Sequence, residues 1–180
     1  KMCIRDRFYK VPFYATGGMT DSKILDVQAG YESAITNLLC ALAGSNFIHD
    51  SAGLMEFALT VCDEKYVVDN EILGMVMRAV QGIQVDEESL AVDLINAVGP
   101  GGGFVSTRHT RKFMRREHYF PTLSDRDTRE EWEAKGSKVT WERAAQRAKE
   151  ILAAEHHSIP PAVRGRVLSE IAGVVDKGSS

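Results

Sequence analysis

The sequence predicts an α/β fold with parallel strands that gives way to helices alone toward the C-terminus. Three observations predict it. A strand, a helix and a second strand follow one another within residues 11–49, apolar stripes of helical period recur from Asp26 onward, and no strand pattern recurs after Pro121. Strand, helix, strand in that order implies two parallel strands joined by a crossover helix.

Val11-Pro-Phe-Tyr-Ala-Thr16 is β-prone and runs into Gly17-Gly18, a strand feeding a loop. After Asp26, Val27, Tyr31, Ala34, Leu38 and Leu42 fall on one helical face, and Gly44 supplies the stop. Asn46–His49 is the second short strand, and Asp50–Gly53 is its loop. Val68, Ile72, Val76, Ala79 and Ile83 form the next stripe, with Met75 and Met77 expected in the core. Asp86 can cap a helix whose face is Leu90, Leu94 and Val98, ended by Gly99-Pro-Gly-Gly-Gly103. Thr128-Arg-Glu-Glu131 has capping-box spacing. Trp141, Ala145, Ala148 and Leu152 form a further stripe. Pro160-Pro161 opens a last helix with Val163, Val167, Ile171 and Val174 inward, before a frayed Gly178–Ser180.

Composition bounds the function. The chain has 180 residues, 44% apolar and 26% charged, which excludes disorder, collagen and coiled coil for the whole. No apolar run approaches the ~20 residues of a membrane-spanning helix. A net charge of -3 argues against general nucleic-acid binding. Cys3, Cys40 and Cys62 form no CxxC pair, so they read as reduced thiols of a cytoplasmic protein. The first residues carry no apolar segment of a secretory signal. Charge is uneven: residues 1–100 hold 7 Lys+Arg against 14 Asp+Glu, and the remainder 15 against 11. This predicts two surfaces of different character. Lys1–Arg7 carries four charges, fits no later pattern and resembles translated adapter sequence. It is expected to be a non-native leader, the alternative being a charged strand or loop.

Several segments are candidates for chemistry. Gly17–Lys23 lies between a strand and a helix, where α/β enzymes place their sites, and Thr20, Asp21 and Ser22 offer polar groups there. A plain turn with an N-cap explains it as well. His49-Asp50 ends the second strand, and an imidazole beside a carboxylate can orient a substrate or act as a base. A histidine satisfying loop carbonyls is the alternative. Gly99–Gly103 has neither the Walker sequence nor the strand context of a dinucleotide fingerprint, and a tight reversal accounts for it. Arg108, Arg111, Lys112, Arg115 and Arg116 place five cations in nine residues. Such a run fits a solvated face, an acidic partner or nucleic acid. His156-His157 lacks further residues at ligand spacing and reads as surface; no metal ligands are expected.

Taken in order, several blocks resemble the trimethylamine methyltransferase family, whose members are corrinoid-dependent. They are Thr20–Glu32, Ala43–His49, Asp69–Val76, Val98–Gly103 and then His109-Thr110. Asp125-Arg126, Glu130-Glu-Trp132 and Glu142-Arg143 are similar to that family's C-terminus. The resemblance covers about Phe8 to Val175. It implies the C-terminal portion of a (β/α)8 TIM barrel followed by a helical extension. Residues 8–120 would then be the last part of the barrel domain and 121–180 the extension. A piece of a barrel is expected to be inactive alone and to self-associate through exposed edges.

The resemblance further implies methyl transfer from a methylated amine to the Co(I) centre of a cognate corrinoid protein. No cofactor is then bound directly, because the partner carries the corrinoid. His49 and Asp50 become the catalytic candidates. Tyr14, Asp21, Phe47, Phe57 and Phe104 become substrate-binding candidates, since aromatic faces attract a quaternary ammonium by roughly 0.5–2 kcal/mol each. Arg108, Arg111, Lys112 and Arg115 are candidates for partner binding, and the full-length protein is expected to be a homo-oligomer. In this family the branch acting on trimethylamine carries pyrrolysine, whereas all 180 residues here are standard. A pyrrolysine position near Gly17–Met19 would place the chain in the branch for quaternary amines such as glycine betaine; an upstream position leaves the sequence silent. The competing class is an interaction module that binds RNA or an acidic protein through residues 108–116. A barrel enzyme of other chemistry, such as a lyase using His49 and Asp50, is the third.

Overall fold

The structure is a computed structural model that describes residues 2–154 and 159–174, without the side chains of residues 2 and 3. His156-His157, Gly178–Ser180 and the Cys3 thiol lie outside the described residues. Among the described residues the fold is mixed α/β, with helices predominating over two small sheets. Two compact units divide the chain, residues 1–149 and 150–180.

The first unit opens with α1 (Met2–Tyr9), a helix where the alternative to a leader was a charged strand or loop. β1 (Tyr14–Thr16), α2 (Val27–Leu42) and β2 (Phe47–His49) then form the expected strand–helix–strand unit. The strands pair in parallel, with Tyr14 opposite Phe47, Ala15 opposite Ile48 and Thr16 opposite His49. Asn46 sets the register at the entry: the Phe13 N–H donates to its side-chain oxygen at 3.1 Å, and its own N–H donates to the Phe13 carbonyl at 3.0 Å. The Asp26 carboxylate caps α2 by accepting from the Ala29 N–H. At the other end Ser45 donates to the Cys40 carbonyl and Gly44 to that of Ala41, the Schellman arrangement that a glycine permits.

β3 (Leu54–Met55) and β4 (Thr60–Val61) make an antiparallel hairpin. Two residues per strand are too few to show an alternating pattern, so the sequence did not announce it. α3 (Asp63–Gln81) follows and packs along α2. The single helix expected over 86–98 is two, α4 (Glu87–Leu90) and α5 (Val92–Val98), because Ala91 adopts φ 51° between them. The predicted Asp86 cap is present as a capping box with Ser89. α6 (Arg108–Glu117) is capped by Thr107, and α7 (Arg129–Ala134) by the predicted box of Thr128 and Glu131. α8 (Thr140–Ala153) follows, and the second unit begins at residue 150. There α9 (Pro161–Glu170) starts on proline.

The inward faces differ from the apolar stripes. α2 buries Ala29, Ser33 and Asn37, while Val27, Tyr31 and Leu42 are exposed. The reason lies opposite: α3 buries Lys65 and Asp69, and buried charge needs polar partners. Val76 is buried as expected, but Met75, Met77 and Ala79 are exposed and Ile83 lies past the helix end. α8 buries Ala144 and Ala148, leaving Trp141 and Leu152 exposed. α9 stops at Glu170, so Ile171 and Val174 lie beyond it, and Val163 is half exposed.

Residues 122–124 are held to α3 by one carboxylate. Glu71 accepts from the Thr122, Leu123 and Ser124 N–H groups at 2.7, 2.5 and 2.7 Å, and from the Ser124 hydroxyl at 2.5 Å. Burial works against its charge, yet these donors outweigh it and hold the Glu71 pKa below the ordinary glutamate value.

Candidate functional site

Alternation along the two strands decides which side chains share a face. A Cβ on Gly17 would lie 2.9 Å from Asn37 Oδ1 of α2 and 3.2 Å from Ile48 Cγ2, so Ile48 points toward α2. Tyr14, Phe47 and His49 therefore project from the other face. The Tyr14 and Phe47 rings lie parallel there, 5.7 Å apart with 1° between their planes, and the His49 ring meets Tyr14 edge-on at 5.2 Å.

His49 has two partners. Its Nδ1 is hydrogen-bonded to the Tyr14 hydroxyl, and its Nε2 pairs with the Asp50 carboxylate. A carboxylate only accepts, so Nε2 carries the proton; in the neutral ring Nδ1 accepts from the Tyr14 O–H. The imidazole thus orients the phenol and is itself oriented by Asp50. Asp50 stands at φ 57°, a left-handed conformation at the strand end that costs about 1 kcal/mol.

Beneath this face is a polar layer that the sequence reading missed. Ser33, Asn37, Lys65 and Asp69 are all fully buried. The Lys65 ammonium donates to the Gly18 carbonyl at 2.8 Å and to Asp69 Oδ2 at 2.5 Å. Asp69 also accepts from the Gly53 N–H at 2.8 Å and the Ser33 hydroxyl at 2.6 Å. Asn37 donates to the Ser51 carbonyl at 3.0 Å, and Thr36 accepts from the Gly18 N–H at 2.9 Å. The i,i+4 spacing of Lys65 and Asp69 on one helix was the available signal.

The remaining predicted residues are placed elsewhere. Asp21 donates its N–H to Glu32 at 3.1 Å, and its carbonyl accepts from the Lys23 ammonium at 2.8 Å, leaving its side chain exposed. Glu32 itself is held below its ordinary pKa, first by the Thr20 hydroxyl. Phe57 sits in the β3–β4 turn, with the Lys23 ammonium 5.2 Å from its ring, so it already faces a cation. Phe104 lies in the loop after α5, its carbonyl accepting from Thr107. Tyr14 and Phe47 pair with each other while Phe57 pairs with Lys23, so the five aromatic and acidic substrate candidates do not form one cluster.

On α6, Arg108, Arg111 and Arg115 are exposed, while Lys112 pairs with Glu88. The Phe113 ring stacks with His109 at 4.1 Å and has the Arg116 guanidinium 4.2 Å from its centroid. A separate cleft of about 710 Å³ is lined by Lys23, Leu25, Met55, Val61, Cys62 and Trp141. Burial pushes the Cys62 thiol above its ordinary pKa, which disfavours thiolate chemistry there. No described helix is long and apolar enough to cross a membrane.

The family model for trimethylamine methyltransferase matches residues 5–177. A glycine betaine methyltransferase of Desulfitobacterium hafniense is 44% identical over 157 residues, which are 87% of this chain and 32% of that protein. A trimethylamine methyltransferase of Methanosarcina mazei is 40% identical over 171 residues, 95% of this chain and 34% of the relative. The chain spans about a third of the length of the curated relatives it matches.

Proposed function

Because the chain belongs to the trimethylamine methyltransferase family, we propose that it is part of an enzyme that moves a methyl group from a methylated amine to a corrinoid carried by a separate protein. The amine is a quaternary one such as glycine betaine, ahead of trimethylamine. The parallel strand–helix–strand unit, with its site at the strand ends, supports the reading of a (β/α)8 barrel's last part.

The observation that carries this reading is the Tyr14–Phe47 ring pair beside a histidine whose two nitrogens are both engaged. The partner's corrinoid would supply a reduced cobalt as methyl acceptor, a Co–C bond forming as the C–N bond breaks and leaves its electron pair on nitrogen. A quaternary ammonium then leaves as a neutral tertiary amine and needs no proton. Tyr14 and Phe47 hold the cation on their faces. His49 and Asp50 fix the Tyr14 ring, so positioning is the protein's contribution. The exposed cations of α6 suit docking of an acidic partner, which is the role we give Arg108, Arg111, Lys112 and Arg115.

The test uses the full-length enzyme with a Co(I) corrinoid protein. Glycine betaine should be converted to dimethylglycine only when both are present. No demethylation of any methylated amine would remove the reading. Faster turnover of trimethylamine would remove the quaternary assignment alone.

A further inference from the structure

Lys65 and Asp69 lie in α3, away from the strand face, and touch neither Tyr14 nor His49. A buried ion pair is costly to desolvate, and apolar residues of similar volume commonly replace one without loss of stability. Stability alone therefore gives no reason for this pair, and its contacts supply one. Lys65 holds the Gly18 carbonyl in the loop that leaves β1. Asp69 holds the Gly53 N–H in the loop that leaves β2. Between these contacts the loops touch backbone to backbone: a Cβ on Gly18 would come within 2.3 Å of the Ser51 carbonyl oxygen. The Gly17 N–H also donates to the His49 carbonyl at 3.1 Å, carrying the strand pairing one residue further.

We propose that the Lys65–Asp69 pair is a positioning device for the strand-end site, clamping the Gly17–Lys23 and Asp50–Gly53 loops against each other so that His49 and Asp50 stay in register with Tyr14. The inference rests on the functional reading above for what the site does, but the clamp itself is a statement about loops. Lys65 spans 47 residues to one loop and Asp69 spans 16 to the other, and their mutual bond joins the two. Ser33 and Asn37 stiffen the arrangement from α2, through Asp69 and the Ser51 carbonyl respectively.

The experiment replaces both charges together in the full-length protein, as Lys65→Met with Asp69→Leu, so that no lone charge stays buried. Amide exchange followed by mass spectrometry should show residues 17–20 and 51–53 exchanging at least tenfold faster, with α2 unchanged. The His49 ring resonances followed by NMR should change position, and kcat for demethylation should fall at least tenfold with KM changed less than threefold. Unchanged loop exchange and unchanged His49 ring resonances would overturn the clamp. Should the double variant fail to fold, Ser33→Ala loosens Asp69 alone and should speed exchange at Gly53 about threefold; no change there overturns the proposal too. His49→Ala tests the functional reading separately: full activity in it removes the site assignment and leaves the exchange results to decide the clamp.

Discussion

Gly18 and Ser51 meet backbone to backbone across the two strand-end loops, with room for no atom between them: a Cβ on Gly18 would fall 2.3 Å from the Ser51 carbonyl oxygen. Gly18 also has φ 80°, a conformation open to glycine at little cost. Gly18→Ala combines a left-handed penalty with a backbone clash. It is expected to cost about 2–4 kcal/mol, read as a lowered denaturation midpoint of the full-length protein. A midpoint within error of the parent would mean that the two loops separate freely.

The Tyr14–His49 hydrogen bond separates two roles of one residue. Tyr14→Phe keeps the ring and loses the hydroxyl, so amine affinity should stay within about twofold while turnover falls. Tyr14→Leu loses the face as well and should weaken quaternary ammonium binding by about 0.5–2 kcal/mol. Calorimetric titration with glycine betaine distinguishes the two, and equal affinities in both variants would exclude the ring from the site.

Glu71 predicts a pH dependence. Its folded pKa is lowered, so its stabilisation is fully present above the ordinary glutamate pKa and is lost as pH falls through the lowered folded value. Glu71→Gln should cost about 2–3 kcal/mol at neutral pH, since bonds to a charged acceptor are the stronger kind. Its stability should also fall less steeply below the ordinary range than that of the parent. Thermal melts from neutral to acid pH read both, and parallel curves would contradict the assignment.

The exposed arginines of α6 predict salt-sensitive association. Replacing Arg108, Arg111 and Arg115 by Gln should slow binding of the corrinoid protein about tenfold at low salt and flatten its salt dependence. Demethylation supported by saturating partner should change little. A binding rate that ignores both the substitutions and the salt would move the docking surface off this helix.

Much of the fold was legible in the sequence. The order β1, α2, β2 followed from short apolar runs around a helical period, and the Asp86 cap and the Thr128–Glu131 box were read from spacings that act over three residues. The hairpin was not legible, nor was the break at Ala91, where no glycine or proline marks the turn. At the site, alternation gathered Tyr14, Phe47 and His49, and the left-handed turn at Asp50 brings its carboxylate to His49. Asp21, Phe57 and Phe104 were grouped with them by proximity to loops, and their hydrogen bonds and ring contacts belong to other neighbours.

What the sequence determined by itself was the family and the parallel strand order, because both rest on residues read along the chain. The tertiary structure alone decided which helix faces turn inward. α2 sets Ala29, Ser33 and Asn37 inward instead of its apolar stripe, because Lys65 and Asp69 are buried across from it and unpaired charge cannot be. A partner 36 residues away, as Asp69 is from Ser33, leaves no periodic trace in either helix.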